Sequence, residues 1–129
     1  MAEPGAGFYP QQVGIDAYGN GGFRFAGMSH RGSLLCLPGG MRAWEVAGAG
    51  AVTLASLAPV LAVADDLDVL LIGMGPEIAA IDPDLRAALR ERRVIVEAIS
   101  TGSAVRTYNV LLAEDRAVGA ALIAVENAK

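Results

Sequence analysis

The chain has 129 residues, enough for one domain that buries roughly two thirds of the surface its unfolded form exposes and needs no metal or disulfide to hold a fold. With 53% hydrophobic and 19% charged residues, it is not a disordered chain, which would be poor in apolar side chains and rich in charge. A net charge of −4 repels phosphate backbones and argues against a nucleic-acid partner, and the lone cysteine, Cys36, cannot form an internal disulfide and fits a reducing compartment.

Residues 1–12, with their glycines, prolines and Gln11-Gln12, read as a flexible lead-in, and residues 13–129 as a single α/β domain. The N-terminus has neither the basic nor the apolar region of a signal peptide. Val13, Ile15 and Ala17 alternate with Gly14, Asp16 and Tyr18, which is a strand signal. Asn20-Gly21-Gly22 tolerates the positive φ of a tight hairpin turn, and Phe23-Arg24-Phe25 follows as its second strand. Gly32 marks another turn before the apolar run Ser33–Leu37, which Pro38-Gly39-Gly40 closes. Ala43–Val46, around Trp44, reads as a further strand, so the first half predicts an antiparallel β region.

Val46–Ala64 carries no charge and has the length of a bilayer span. Gly48, Gly50, Pro59, the many alanines and the acidic flanks Glu45 and Asp65-Asp66 predict a buried strand, loop and helix instead, with no membrane span. In that helix Leu54, Leu57, Ala58 and Leu61 recur at helical spacing, with Ser56 as N-cap and Pro59 in the first turn. Val69–Ile72 is a continuous apolar run, as expected of a strand covered on both faces. Asp82-Pro83-Asp84 opens a helix, and Arg90, Arg92 and Arg93 close it where cations favour the negative end of the helix dipole. Val94–Ile99 is the next strand. Ser100 or Thr101 caps a third helix with Ala104, Tyr108, Leu111 and Leu112 on one face, and Ala117–Val125 forms a last strand. Strands alternating with helices over 69–125 imply right-handed crossovers and parallel pairing. The predicted class is α/β, an antiparallel β layer beside a mainly parallel β–α unit.

The inventory for catalysis is thin. His30 and Cys36 would stand about 20 Å apart in one extended strand, at roughly 3.3 Å per residue, and a turn at Gly32 would part them as well, so they form no nucleophilic pair. No Gly-x-Ser-x-Gly elbow occurs. One histidine and one cysteine leave carboxylates as the plentiful metal ligands, and Asp65, Asp66 and Asp68 lack the regular spacing of a calcium loop, so no metal is expected.

Gly73-Met74-Gly75 follows a predicted strand, at the place where open parallel sheets bind ligands, and Glu97 falls near the spacing of a ribose-binding acid. Against a dinucleotide, Ile78 replaces the third glycine and Pro76 removes a donor. The next helix begins only near Asp82, so no helix N-terminus is expected to point at the glycines. A tight turn without cofactor is the expectation. Glu97 alternates in phase with Ile95 and Ile99, which sets it toward an apolar layer as an acid of raised pKa; the other reading is a solvated or arginine-paired strand end. Arg106-Thr107-Tyr108-Asn109 is the densest polar group on an otherwise apolar helix. Asn has poor helix propensity, so the group marks either a binding surface or side chains bonded locally to backbone.

The stretch Thr101-Gly102-Ser103-Ala104-Val105-Arg106-Thr107-Tyr108-Asn109-Val110-Leu111-Leu112-Ala113-Glu114-Asp115-Arg116 resembles the signature of a small-domain family of unknown function, the Mth-type domain. That family includes mitochondrial assembly factor 3 of NADH:ubiquinone oxidoreductase (complex I) and an adipogenesis-associated protein. Leu71–Gly75 resembles its strand and glycine turn, Trp44 its mid-chain tryptophan and Val118–Ile123 its closing strand, so the likeness runs from about Gly14 to Val125. Where the family usually has Asp, Cys and Glu-Gly-Arg, this chain has Ser100, Val105 and Glu114-Asp115-Arg116; had the cysteine been a nucleophile, its chemistry is missing here.

The resemblance implies a three-layer β/β/α fold with the β layer packed on the parallel unit. It implies a non-enzymatic binding or assembly-factor-like protein in the cytoplasm, without cofactor, whose protein partners are respiratory-complex components. Candidate ligand- or partner-binding residues are Gly73, Gly75, Glu97, Thr101, Arg106, Tyr108 and Asn109. The alternative is a small-molecule-binding domain or weak enzyme using the Gly73–Gly75 turn, with Glu97 or Arg106 as polar contact. A third reading is a homo-oligomer whose apolar edge, Phe23–Phe25, pairs with a copy of itself.

Overall fold

The computed structural model describes residues 8–77 and 79–128. In chain order the strands are β1 (Phe8–Tyr9), β2 (Ala17–Gly19), β3 (Gly22–Phe25), β4 (Met28–Arg31), β5 (Leu34–Leu37), β6 (Gly40–Ala43), β7 (Val69–Gly73), β8 (Ile95–Ile99) and β9 (Val118–Leu122). The α-helices are α1 (Ala58–Ala62), α2 (Pro83–Glu91) and α3 (Thr101–Ala113). A six-stranded mixed sheet runs β1-β6-β5-β9-β7-β8, and β2-β3-β4 form a separate antiparallel sheet.

The parallel unit follows from the apolar runs. β7 lies between β8 and β9 and is parallel to both, with Leu71 opposite Glu97 on one side and Ala120 on the other. Every residue of β9 is buried, as expected of a strand covered on both faces. The antiparallel half divides in a way that local pattern does not specify. β5 pairs antiparallel with β9, Leu35 opposite Ala121, so β5, β6 and β1 extend the parallel unit into one mixed sheet. Only β2–β4 forms the separate β layer. Phe8 and Tyr9, expected within the lead-in, pair with β6; residues 1–7 lie outside the described residues.

The β2–β3 hairpin turns at Asn20 (φ 52°) and Gly21 (φ 76°), both in the left-handed region that a two-residue turn matching strand twist requires. β3 is paired on both sides, and Phe23 and Phe25 are 2% and 0% exposed. They belong to the core, and the expected self-pairing edge at Phe23–Phe25 does not exist.

Trp44 lies just past β6 rather than in a strand; it is buried, and its Nε1 donates to the Ser56 carbonyl at 2.8 Å. Between Trp44 and β7 the chain makes short 3₁₀ turns and the five-residue α1, with Pro59 in its first turn. Ser56 is not the N-cap. Its backbone N–H donates to Thr53 Oγ1 and its hydroxyl to the Thr53 carbonyl, which closes a local turn, and Leu57 holds the cap position. Among the described residues no helix is long and apolar enough to cross a membrane.

Two cores sandwich the large sheet. On one face Leu70, Ile72, Val96 and Leu35 meet Leu85 and Leu89 of α2 with Trp44, Leu57 and Val60. On the other, Leu71, Cys36, Ala120 and Leu122 meet Ala104, Val105 and Tyr108 of α3 with Phe23 and Phe25 of the small sheet. Each fully buried large apolar side chain contributes about 1.5–3 kcal/mol. Helix α2 opens as expected: Asp82 accepts from the Asp84 N–H at 2.8 Å, and Pro83 takes the first position. Helix α3 packs over β7 and β9, leaving edge strand β8 uncovered on that side. Ile95 is therefore 65% exposed, and Glu97, in phase with it, is exposed too. The alternation is real, but the apolar layer expected beside Glu97 stops short of it.

Candidate functional site

The carboxyl ends of β7, β8 and β9 converge on the first turn of α3. A side chain at Gly73 would place its Cβ 2.8 Å from Thr101 Cα, so only glycine lets the helix approach this closely. Gly75 sits at φ +110°, again a glycine conformation. A helix N-terminus does face this turn, contrary to the sequence expectation, and it belongs to α3 rather than α2. Ser100 is its N-cap, accepting from the Ser103 N–H at 3.3 Å.

Thr101 is fully buried and occupies the space between the glycines and the helix. Its N–H donates to the Gly75 carbonyl at 2.8 Å, its Oγ1 accepts from the Gly75 N–H at 3.1 Å, and the hydroxyl donates to the Ile123 carbonyl at 2.7 Å. Ile123 N–H donates to the Gly73 carbonyl at 2.9 Å and Met74 N–H to the Ile99 carbonyl at 2.7 Å. Phosphate cradles depend on unengaged backbone N–H groups. Here those of Met74 and Gly75 are bonded internally, and Pro76 has none. The turn locks three strand ends and a helix together, and Thr101 fills the place a ligand would take.

The polar group on α3 splits into an inward and an outward half. Tyr108 is 0% exposed, and its hydroxyl donates to the Val13 carbonyl at 2.7 Å. Asn109 clamps one residue of backbone: its Oδ1 accepts from the Ile15 N–H and its Nδ2 donates to the Ile15 carbonyl, both at 2.8 Å. That pair of hydrogen bonds supplies a physical reason for asparagine in mid-helix. It holds the extended segment before β2 against α3 as a strand partner would. Arg106 points outward, with its Nη2 donating to Ser103 Oγ at 3.3 Å. Thr107 is exposed, and Val110, one turn beyond Arg106, is 57% exposed.

The structure thus gathers Gly73, Gly75 and Thr101 at the strand ends, turns Tyr108 and Asn109 toward residues 13–15, and leaves Arg106 on the outer face of α3 and Glu97 on the sheet edge. Cys36 is 0% exposed, and burial pushes its thiol far above the ordinary range, against a smaller opposing effect from Tyr108. His30 is buried. Its Nε2 donates to the Ser33 carbonyl at 3.1 Å, and Tyr9 Oη lies 3.1 Å from its Nδ1. Among the described residues no three His, Cys, Asp or Glu side chains gather as a metal site would require. A residue absent from the sequence candidates is Arg86, whose Nη1 donates to the Val96 carbonyl on β8 at 2.6 Å. Its spacing of four from Arg90, which puts both on one side of α2, is the signal that points to it.

The chain is similar to known proteins over nearly its whole length. An uncharacterized protein of Rhodobacter capsulatus is 43% identical over 127 residues, covering 98% of this chain and 94% of the relative. Assembly factor 3 of the NADH dehydrogenase [ubiquinone] 1 alpha subcomplex from Mus musculus is 31% identical over 115 residues, or 89% of this chain. The match spans 62% of that mouse protein. Among solved structures, one described as an outer membrane protein from Bartonella henselae superposes with a TM-score of 0.88 at 52% identity, covering 92% of this chain and 99% of that one. A Mth938-like domain from Bordetella pertussis superposes with a TM-score of 0.77 at 25% identity, covering 99% and 93%. The pattern of the protein family of unknown function DUF498/DUF598 matches residues 15–123, which takes in β2 to β9, all three α-helices and the Thr101 lock, and the chain belongs to that family.

Proposed function

We propose that this chain is a non-enzymatic binding protein that aids assembly of a respiratory membrane complex from the cytoplasmic side, docking a protein partner on the outer face of α3. The observation that carries this reading is the 31% identity to an assembly factor of NADH dehydrogenase across 89% of this chain. The geometry agrees with it. Thr101, Tyr108, Asn109, His30 and Cys36 are committed to packing or to hydrogen bonds that hold the fold. The outer turn of α3 sets a cation beside an apolar side chain, Arg106 and the 57% exposed Val110. An apolar contact beside an arginine is a common kernel of protein interfaces.

The test is cross-linked affinity capture of the tagged protein from its own cells, beside Arg106→Glu and Val110→Asp variants that retain the wild-type melting temperature. Components of the respiratory NADH dehydrogenase in the wild-type eluate, at least tenfold depleted with either variant, are expected. A stoichiometric small molecule with no protein partner would overturn the reading. Equal capture by both variants would remove the α3 face from it. The glycine turn carries no second reading, because Thr101 fills it.

A further inference from the structure

We infer that the outer edge of β8 is a strand-addition site for an extended acidic peptide, guarded in the isolated protein by Arg86. β8 ends the large sheet and, among the described residues, pairs with β7 alone. The Ile95 N–H bonds to Asp68 and the Ile99 carbonyl to Met74, both on the β7 side. Strand alternation therefore turns the N–H and C=O groups of Val96 and Ala98 outward. An open row of this kind is a template for another strand.

Three arginines border the row. Arg86 and Arg90 stand one turn apart on α2, and Arg93 lies two residues before β8. Together with Ile95, Val96 and one carboxylate, Glu97, they line a cleft of about 340 Å³ along the edge, three cations against one anion. A second cleft of about 520 Å³ shares Arg86 and Arg90 with it and continues to Ala98. Among the described residues no ion pair engages any of the three arginines, a concentration of positive charge on a chain of net charge −4. Ile95, which lines the same cleft, is 65% exposed, and Glu97 is exposed in phase with it. A strand laid here would alternate carboxylates toward the arginines with apolar side chains toward Ile95.

This charge also selects the occupant. A second copy pairing through its own β8 would bring two sets of three arginines together and repel. An acidic strand is attracted. Arg86 sets the condition for entry. Its Nη1, 2.6 Å from the Val96 carbonyl, stands where an incoming backbone N–H would donate. A neutral strand has nothing to draw the guanidinium away, whereas a carboxylate exchanges for the carbonyl as its partner and opens the position. Natural edge strands are commonly blunted by charged side chains; here the blunting group is also the one that reads the ligand.

The inference names a partner chemistry for the docking role proposed above and rests on that reading, but on a different face. The test is titration of the purified full chain, isotopically labelled, with an eight-residue Glu-Val repeat peptide, followed by amide shifts and hydrogen exchange. A Lys-Val repeat and a Glu-Pro repeat serve as controls. The expected result is shifts centred on Val96 and Ala98, slowed exchange at both amides with Glu-Val only, and affinity lowered about fivefold, the upper range for an exposed pair, by Arg90→Glu. Arg116→Glu, which makes the same charge change elsewhere, should leave binding within twofold. Equal binding of Glu-Pro, which lacks alternate N–H groups, would show an anion site and overturn strand addition. Absence of shifts at millimolar Glu-Val would overturn it as well. Neither outcome bears on capture through α3, and loss of α3 capture would leave the titration result standing.

Discussion

Replacing Thr101 with valine keeps the shape of the side chain and deletes one hydroxyl. That hydroxyl accepts from Gly75 at 3.1 Å and donates to Ile123 at 2.7 Å, in a place with no solvent access. Each partner stranded by the change costs about 1–3 kcal/mol, so Thr101→Val is expected to lose about 2–6 kcal/mol. That is a large share of the 5–15 kcal/mol typical of a whole domain. Thr101→Ser keeps both bonds and removes one methyl, which costs about 1 kcal/mol. Urea unfolding at pH 7 reads the difference. With a slope of about 1–3 kcal/mol per molar, the valine midpoint should fall by at least about 0.7 M and the serine midpoint by no more than about half as much, with the slope unchanged. Serine as damaging as valine, or valine within about 0.5 kcal/mol of wild type, would refute the lock, since only the hydroxyl distinguishes the two.

Three further outcomes follow from the same geometry. Gly73→Ala puts its Cβ 2.8 Å from Thr101 Cα, which forces backbone apart; a loss of about 1–3 kcal/mol or more should appear as a lower melting temperature in calorimetry. Asn109→Ala strands the Ile15 N–H and C=O and should speed Ile15 amide exchange at least tenfold, whereas Asn109→Asp keeps the acceptor for that N–H and should preserve more of the protection. For pH, burial raises the Cys36 thiol in the folded chain, so the folded state holds its proton where the unfolded chain has lost it. Stability from this group is complete below the unfolded value near 8.5 and falls by about 1.4 kcal/mol per pH unit above it. Tyr108, raised chiefly by its burial, adds the same slope above about 10. Urea midpoints between pH 7 and 10 should therefore decline for wild type and stay flatter for Cys36→Ala over the first part of that range.

What could be read from sequence was whatever neighbours in the chain decide. The cap at Asp82 acts on the Asp84 N–H, Asn20-Gly21 supplies the two left-handed residues of its turn, and the apolar runs of β7 and β9 declare burial on both faces. Long-range partners were not legible. Asn109 stands 94 residues from Ile15 and Thr101 stands 26 from Gly75, so their polarity could be noticed but not assigned. The exposure of Glu97 depends on where α3 ends laterally on the sheet, which its alternation with Ile95 and Ile99 cannot encode. The joining of β5 to β9 likewise depends on the register between Leu35 and Ala121, strands that are far apart in sequence. A helix N-terminus at the glycine turn was missed for a related reason: the helix that supplies it follows β8, not β7.

The proposed assembly role is tested most directly by the amount of assembled respiratory NADH dehydrogenase in membranes from cells lacking this chain, resolved on native gels and complemented with wild type or with folded Arg106→Glu and Val110→Asp variants. The expected result is a marked fall in the intact complex with accumulation of subassemblies, restored by wild type and not by the two variants. Undiminished complex in the deletion cells, across growth conditions that require respiration, would contradict it.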